Sequence, residues 1–329
     1  MMKLSTSEKT ILEQSYPTIL QINKLSHLPK EELMMTVLGL KPAMSNSITL
    51  DIKLKQNIDK IRDYGKQIGL YLATSCFKYI MNSPLGIYKE IPLNDPRPGK
   101  IIFAFSKSED KARKAVDYYH TIDDYKNSIK LAQLMGYPEC CIKFGVYLSN
   151  NRRDSDNFGF KNPAVESLKR SQHFAWQLNV FSLSPLSHYP CSLTCEKSQE
   201  YIDKAFSCLD YIDKRAYSFY IKYLTQPASL FWTCVDRILL FGDFKKYELG
   251  TGEIKYNRIA PLINSNAFYQ ETDKNLIGSW EHTKNTLRKG NKLIVTDDCY
   301  RIYSNGNMIL EIKKINKYIP VLVKPDILP

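Results

Sequence analysis

The sequence predicts an α+β protein, a mainly helical N-terminal body carrying a cysteine and histidine site, followed by a small antiparallel β domain. Three observations carry that prediction. Apolar residues recur at helical spacing through most of the first 225 or so positions, glycine and proline corners punctuate them, and from about Gln226 onward the pattern turns to alternating segments with hairpin signals. The expected divisions are a helical N-terminal region over 1–99, a mainly helical Cys/His site domain over 100–226, and an antiparallel β domain over 227–329.

Taken in order, Pro29 opens a helix through Leu40, with Leu33, Val37 and Leu40 on one face. A second helix is expected from about Leu54 to Asn82, striped by Ile58, Ile61, Ile68 and Leu72. Ser83 to Lys100 holds four prolines and reads as a connector. Lys100 to Phe105 is a short apolar strand, and helices follow over Ser108 to Tyr119 and Ile122 to Met135. Gly136 suits the left-handed residue after a helix end and Pro138 the first position of the next helix, so 136–141 reads as a helix-corner-helix junction. Its second helix should run to about Leu148. A polar loop, Asn150 to Asn157, precedes a helix from Pro163 to about Val180, and Pro190 precedes a long helical pattern to about Leu224. Further on, Leu230 to Leu240 is rich in β-branched and aromatic residues. Gly250-Thr251-Gly252 separates Phe244 to Leu249 from Glu253 to Arg258 as a hairpin would. Lys292 to Thr296, Tyr300 to Tyr303 and Met308 to Lys313 alternate, with Asn305-Gly306 as a two-residue turn.

Composition narrows the function classes. Hydrophobic residues make up 43% and charged residues 24% of 329, which argues against a disordered or fibrous chain. No apolar run is long enough for a membrane span, and Glu8, Lys9 and Glu13 interrupt the region where a secretory signal would need a continuous apolar core, so a cytoplasmic location is expected. The net charge of +12 is spread thinly, with short clusters at Arg152-Arg153, Lys245-Lys246 and Lys313-Lys314 and no basic block. Nucleic acid is therefore a partner this sequence permits without favouring. Nucleotide binding has no phosphate-loop or dinucleotide motif behind it.

Eight cysteines are too few for a disulfide scaffold, and in a reducing compartment they serve as core residues, metal ligands or reactive thiols. The informative set is Cys140-Cys141 with His188, Cys191 and Cys195. Both groups follow a Tyr-Pro pair, and thiols in the first turn of a helix meet free N–H groups that favour thiolate. If the two groups converge they offer soft and borderline donors for zinc or for an iron-sulfur cluster. Adjacent helical cysteines diverge by about 100°, which is awkward around one small ion and easier around a cluster, so the spacing leans to iron-sulfur with zinc as the alternative. Glu139 and His188 are candidate acid/base groups, Glu139 being equally a carboxylate suited to the helix dipole. Cys76, Cys208, Cys234 and Cys299 stand singly in apolar patterns and read as core. His120 and His173, within helical patterns, read as surface or satisfied residues.

Gly-Tyr-Pro-Glu-Cys-Cys at 136–141, with Ser-His-Tyr-Pro-Cys-Ser at 187–192 and Cys195, resembles a prokaryotic family of unknown function marked by GYPECC and HxPCSxxC elements. The resemblance covers roughly 125–205. It implies that Pro138, Glu139, Cys140, Cys141, His188, Pro190, Cys191, Ser192 and Cys195 belong to one site, and it brings no reaction. The resulting expectation is a metal-dependent enzyme acting on a small or peptide substrate. The alternatives are a zinc-stapled protein that binds nucleic acid or another partner, and a metal-free thiol enzyme with Cys140 or Cys141 as nucleophile and His188 as its base.

Overall fold

The computed structural model describes residues 3–81, 88–120, 125–150, 167, 170–171, 175–180, 184–225, 228–231, 236–248, 251–263, 274–313 and 321–323. Among them are nine α-helices and two antiparallel sheets, the mixed α+β class expected, with the helices weighted to the N-terminal side. The chain divides into two compact units, one made of 1–146 with 196–218, the other of 147–195 with 219–329.

The first unit opens with helix α1 (Thr6–Ser26), whose N-cap Ser5 accepts from the Glu8 N–H while Glu8 reaches back to the Ser5 N–H. Helix α2 (Lys30–Val37) begins after Pro29, as expected, and strand β1 (Ala43–Thr49) follows. Helix α3 covers Ile52–Gln67 only, which corrects the expectation of a helix to Asn82. Gly69 takes φ +72 and the Leu70 N–H returns to the Gly65 carbonyl, closing the helix. The next residues form strands β2 (Tyr71–Thr74) and β3 (Phe77–Met81). The region read as a connector also holds strand β4 (Tyr88–Pro92).

Strand β5 (Lys100–Ser106) is the spine of this sheet, in the order β1-β5-β3-β4 with β2 also paired to β5. It is buried from Ile101 to Ser106, the continuous apolar run of a strand covered on both faces. Ile102 and Ala104 pack with Ala115 and Val116 of helix α4 (Glu109–His120), with Leu131 of helix α5 (Tyr125–Leu134) and with Met135 just after it. Toward the other face α3 comes so close that a Cβ on Gly65 would stand 2.8 Å from the Phe105 ring. Helix α6 (Glu139–Asn150) follows the Gly136 corner and starts one residue later than expected.

The expected long helix from Pro190 to Leu224 is two helices, α7 (Glu196–Ile212) and α8 (Lys214–Thr225). Asp213 interrupts them because its carboxylate accepts from the Ala216 N–H and starts the second helix. Of the helix expected over Pro163 to Val180, half the residues lie outside those described, and Trp176–Leu178 is a single 3₁₀ turn.

The second unit carries a seven-stranded antiparallel sheet, ordered β11-β10-β9-β8-β7-β6-β12. Its strands are β6 (Ala228–Phe231), β7 (Asp236–Glu248), β8 (Thr251–Ile263), β9 (Lys292–Val295), β10 (Cys299–Ser304), β11 (Asn307–Lys313) and β12 (Val321–Val323). The β7-β8 hairpin and the Asn305-Gly306 turn between β10 and β11 are as expected, the turn residues taking φ 50° and 90°. Helix α9 (Lys274–Lys289), absent from the sequence expectation, packs Leu287 into the core of Ile238, Leu240, Ile254, Leu293, Val295, Tyr300 and Ile302. At the end of the sheet, β11 turns Leu310 and Ile312 toward that core and leaves Met308 and Ile309 exposed.

Candidate metal centre

The corner that carries Cys140 and Cys141 is built from backbone requirements. Helix α5 ends with the Tyr137 N–H returning to the Ala132 carbonyl while Gly136 takes φ +74, the left-handed residue such an ending needs. A Cβ on Gly136 would also stand 3.0 Å from Pro42 Cδ. Pro138 then presents its carbonyl to the N–H groups of Cys141 and Ile142, which starts α6. Cys140 and Cys141 thus lie in its first turn, where a helix concentrates unpaired donors and positive potential.

The second pair lies on a turn. The Cys195 N–H donates to the Ser192 carbonyl, and α7 begins at the next residue. The turn is held by Leu193, fully buried, whose N–H donates to Ser171 Oγ and whose carbonyl accepts from the Ala175 N–H. Both cysteine pairs therefore sit at helix starts, as the two Tyr-Pro junctions suggested, although Cys191 and Cys195 precede their helix instead of lying within it.

The four sulfur atoms of Cys140, Cys141, Cys191 and Cys195 all lie within 4.8 Å of one another. Cys141 and Cys195 are buried, Cys140 and Cys191 half-buried. Four thiols at this spacing form a donor set that fits a metal: soft ligands, convergent, at two helix starts. Cys140 Sγ and Cys141 Sγ are 3.9 Å apart, although adjacent helical positions diverge by about 100°.

Cys141 Sγ also lies 3.1 Å from Ser198 Oγ, in the first turn of α7. Ser198 is fully buried, and with Cys141 as thiolate its hydroxyl is the donor, the kind of contact that orients a ligand and lowers its charge. Sequence reading missed Ser198, which looks like any helical serine until the fold brings it beside a cysteine 57 positions away.

His188 is half-buried with Nδ1 enclosed, and among the described residues the convergent donors are the four cysteines without it. Glu139 is exposed and paired with Lys143 at 2.7 Å. The Lys143 ammonium holds the Glu139 carboxyl below the usual carboxylate range, the behaviour of a helix-terminal carboxylate in an i,i+4 pair. Cys208 is fully buried and burial pushes its thiol up to about 12, which keeps it protonated and inert. Cys299 is buried and Cys76 exposed, while Cys234 and His173 lie outside the described residues, as does the side chain of His120.

Among the described residues no helix is long and apolar enough to cross a membrane. Comparison with known families matches residues 99–216 to a model described as protein of unknown function (DUF483), a stretch that includes all four cysteines and Ser198. This fits the uncharacterised family expected from the motifs. No curated protein and no solved structure matches the chain.

Proposed function

We propose that Cys140, Cys141, Cys191 and Cys195 hold one tetrahedrally coordinated metal ion, of the zinc type. The observation that carries this reading is the mutual spacing of the sulfurs, all within 4.8 Å. Around a single ion with metal-sulfur bonds near 2.3 Å, tetrahedral sulfurs stand about 3.8 Å apart. The Cys140 to Cys141 separation of 3.9 Å supports that geometry. In a four-iron cluster each thiolate points outward from its own corner, which spreads the sulfurs to roughly 6 Å. The spacing thus favours the zinc alternative over the iron-sulfur expectation.

A bound ion of this kind supplies Lewis acidity and keeps its cysteines as thiolates at neutral pH. The chain's own contribution is to place Cys141 and Cys195 in the interior, to leave Cys140 and Cys191 partly open, and to aim the Ser198 hydroxyl at Cys141. Partial exposure of two ligands supports a second role beyond structure, namely thiolate chemistry on a small or peptide substrate at Cys140 or Cys191. In this reading His188, three positions before Cys191, serves as the proton donor or acceptor, and Glu139 complements the helix start.

Metal analysis of protein purified without oxygen tests the proposal. One colourless zinc-type ion per chain is expected, lost when Cys140 and Cys191 are both replaced by Ala. Iron with acid-labile sulfide would return the site to a cluster, and metal-free protein with a selectively alkylated Cys140 or Cys141 would support the thiol enzyme.

A further inference from the structure

A second buried group lies directly behind the cysteine corner. Lys41 is 1% exposed and ion-paired with Glu32, itself 8% exposed, while Glu31 beside it is 7% exposed. Removing an ammonium and carboxylates from water is costly, and an apolar replacement of similar shape is often as stable or more so, so a buried pair of this kind points away from stability as its purpose.

The surroundings of Lys41 indicate another purpose. Its ammonium lies 5.7 Å from the centroid of the Tyr137 ring. The backbone on either side is close too, with Lys41 Cα 3.8 Å and Pro42 Cδ 3.0 Å from where a Cβ on Gly136 would stand. The 40–42 segment is itself fixed at both ends. The Leu40 and Lys41 N–H groups donate to the Met35 carbonyl, and the Pro42 carbonyl accepts from Ser106 Oγ at the end of β5. From Tyr137 only Pro138 and Glu139 intervene before Cys140.

We infer that Lys41 is a positioning residue of the metal centre: pinned by Glu32, its ammonium holds the face of Tyr137 and so sets the corner from which Cys140 and Cys141 reach the ion. The inference rests on the metal reading above. Its chemistry is specific. A cation attracts the face of an aromatic ring, whereas an apolar side chain of the same length fills the space and leaves the ring free to turn. The charge of Lys41 is thus worth more to ligand geometry than to folding.

The test is chelator competition on the full-length, metal-loaded protein, with cobalt substitution as a spectroscopic probe of thiolate geometry. The double variant Lys41→Met with Glu32→Gln, made in a Glu31→Gln background, removes the cation and both buried carboxylates together, so that none is left buried alone. It should fold with a thermal midpoint near or above wild type, yet bind the metal about 10- to 100-fold more weakly, with an altered cobalt-thiolate spectrum. Tyr137→Leu should reproduce the loss and Tyr137→Phe, which keeps the ring face, should not; these single variants decide the matter if the double variant fails to fold. Wild-type affinity in the double variant or in Tyr137→Leu would overturn the inference and leave the metal centre standing. A wild-type protein that binds no metal would overturn both.

Discussion

Replacing Cys191 by Ala should damage the protein far more than replacing Cys208 by Ala, although Cys208 is the more buried of the two. Cys208 is fully enclosed beside Ala205, Phe206 and Leu209, so its loss leaves a cavity about the size of one sulfur. A core truncation that small costs on the order of 1 kcal/mol. Cys191 is half-buried, so its packing term is smaller still. What it loses instead is a ligand: structural zinc binding is worth roughly 10–16 kcal/mol, and a quarter of that is about 3 kcal/mol, or about 100-fold in affinity. At about 2–4 °C per kcal/mol for units of this size, the expected drops in thermal midpoint are near 3 °C for Cys208→Ala and near 10 °C for Cys191→Ala. Thermal melts and metal content, measured side by side on the two variants, check this. Equal small shifts with unchanged metal would refute the reasoning, because they would make Cys191 an ordinary half-buried residue.

Ser198→Ala should keep the metal but weaken its retention against a chelator about tenfold, since Cys141 loses its hydroxyl donor and not its bond to the ion; retention equal to wild type would remove Ser198 from the site. In metal-stripped protein Cys140 and Cys191 should alkylate before Cys141 and Cys195, with protection on adding zinc, as read by peptide mass spectrometry; uniform reactivity would contradict the burial order. Glu8 gives a pH prediction. Hydrogen bonds from Lys204 and from the Ser5 backbone hold its carboxyl down to about 2, below the ordinary carboxyl value of 4.5, so the contact stabilises the fold above pH 4.5 and is lost as pH falls from there toward 2. Solvent screening reduces the effect to about 1 kcal/mol, and Glu8→Gln should remove that much of the acid sensitivity; an unchanged acid unfolding curve would deny the linkage.

The parts of the fold that could be read from sequence are those where one residue type forces one backbone state. Gly136 at φ +74 and the Asn305-Gly306 turn are of this kind. The Leu54 to Asn82 helix failed because helical periodicity runs on through Ile68 and Leu72 while pairing with β5 takes residues 71–74 into the sheet. Local pattern was outweighed there by a partner about thirty positions ahead. Helix α9 was missed because Gly278 and many polar residues dilute its stripe, and only its packing under the β sheet, through Leu287, reveals what holds it. At the site, the cysteines were legible from their Tyr-Pro junctions and from thiol chemistry. Ser198 and Lys41 were not, since each acts on a residue far away in the chain.

The open end of the seven-stranded sheet bears on how the protein behaves when concentrated. Among the described residues β11 pairs only with β10 and so forms the edge of the described sheet, where exposed Met308 and Ile309 offer an apolar start for pairing with a strand from another molecule. Farther along the same strand stand Glu311, tied to Arg301 on β10, and exposed Lys313. A second strand that continued past Ile309 would have to bury or displace these charges. Glu311 and Lys313 therefore act as gatekeepers against edge-to-edge aggregation, which makes their neutral replacements the first to avoid in preparing the protein at high concentration.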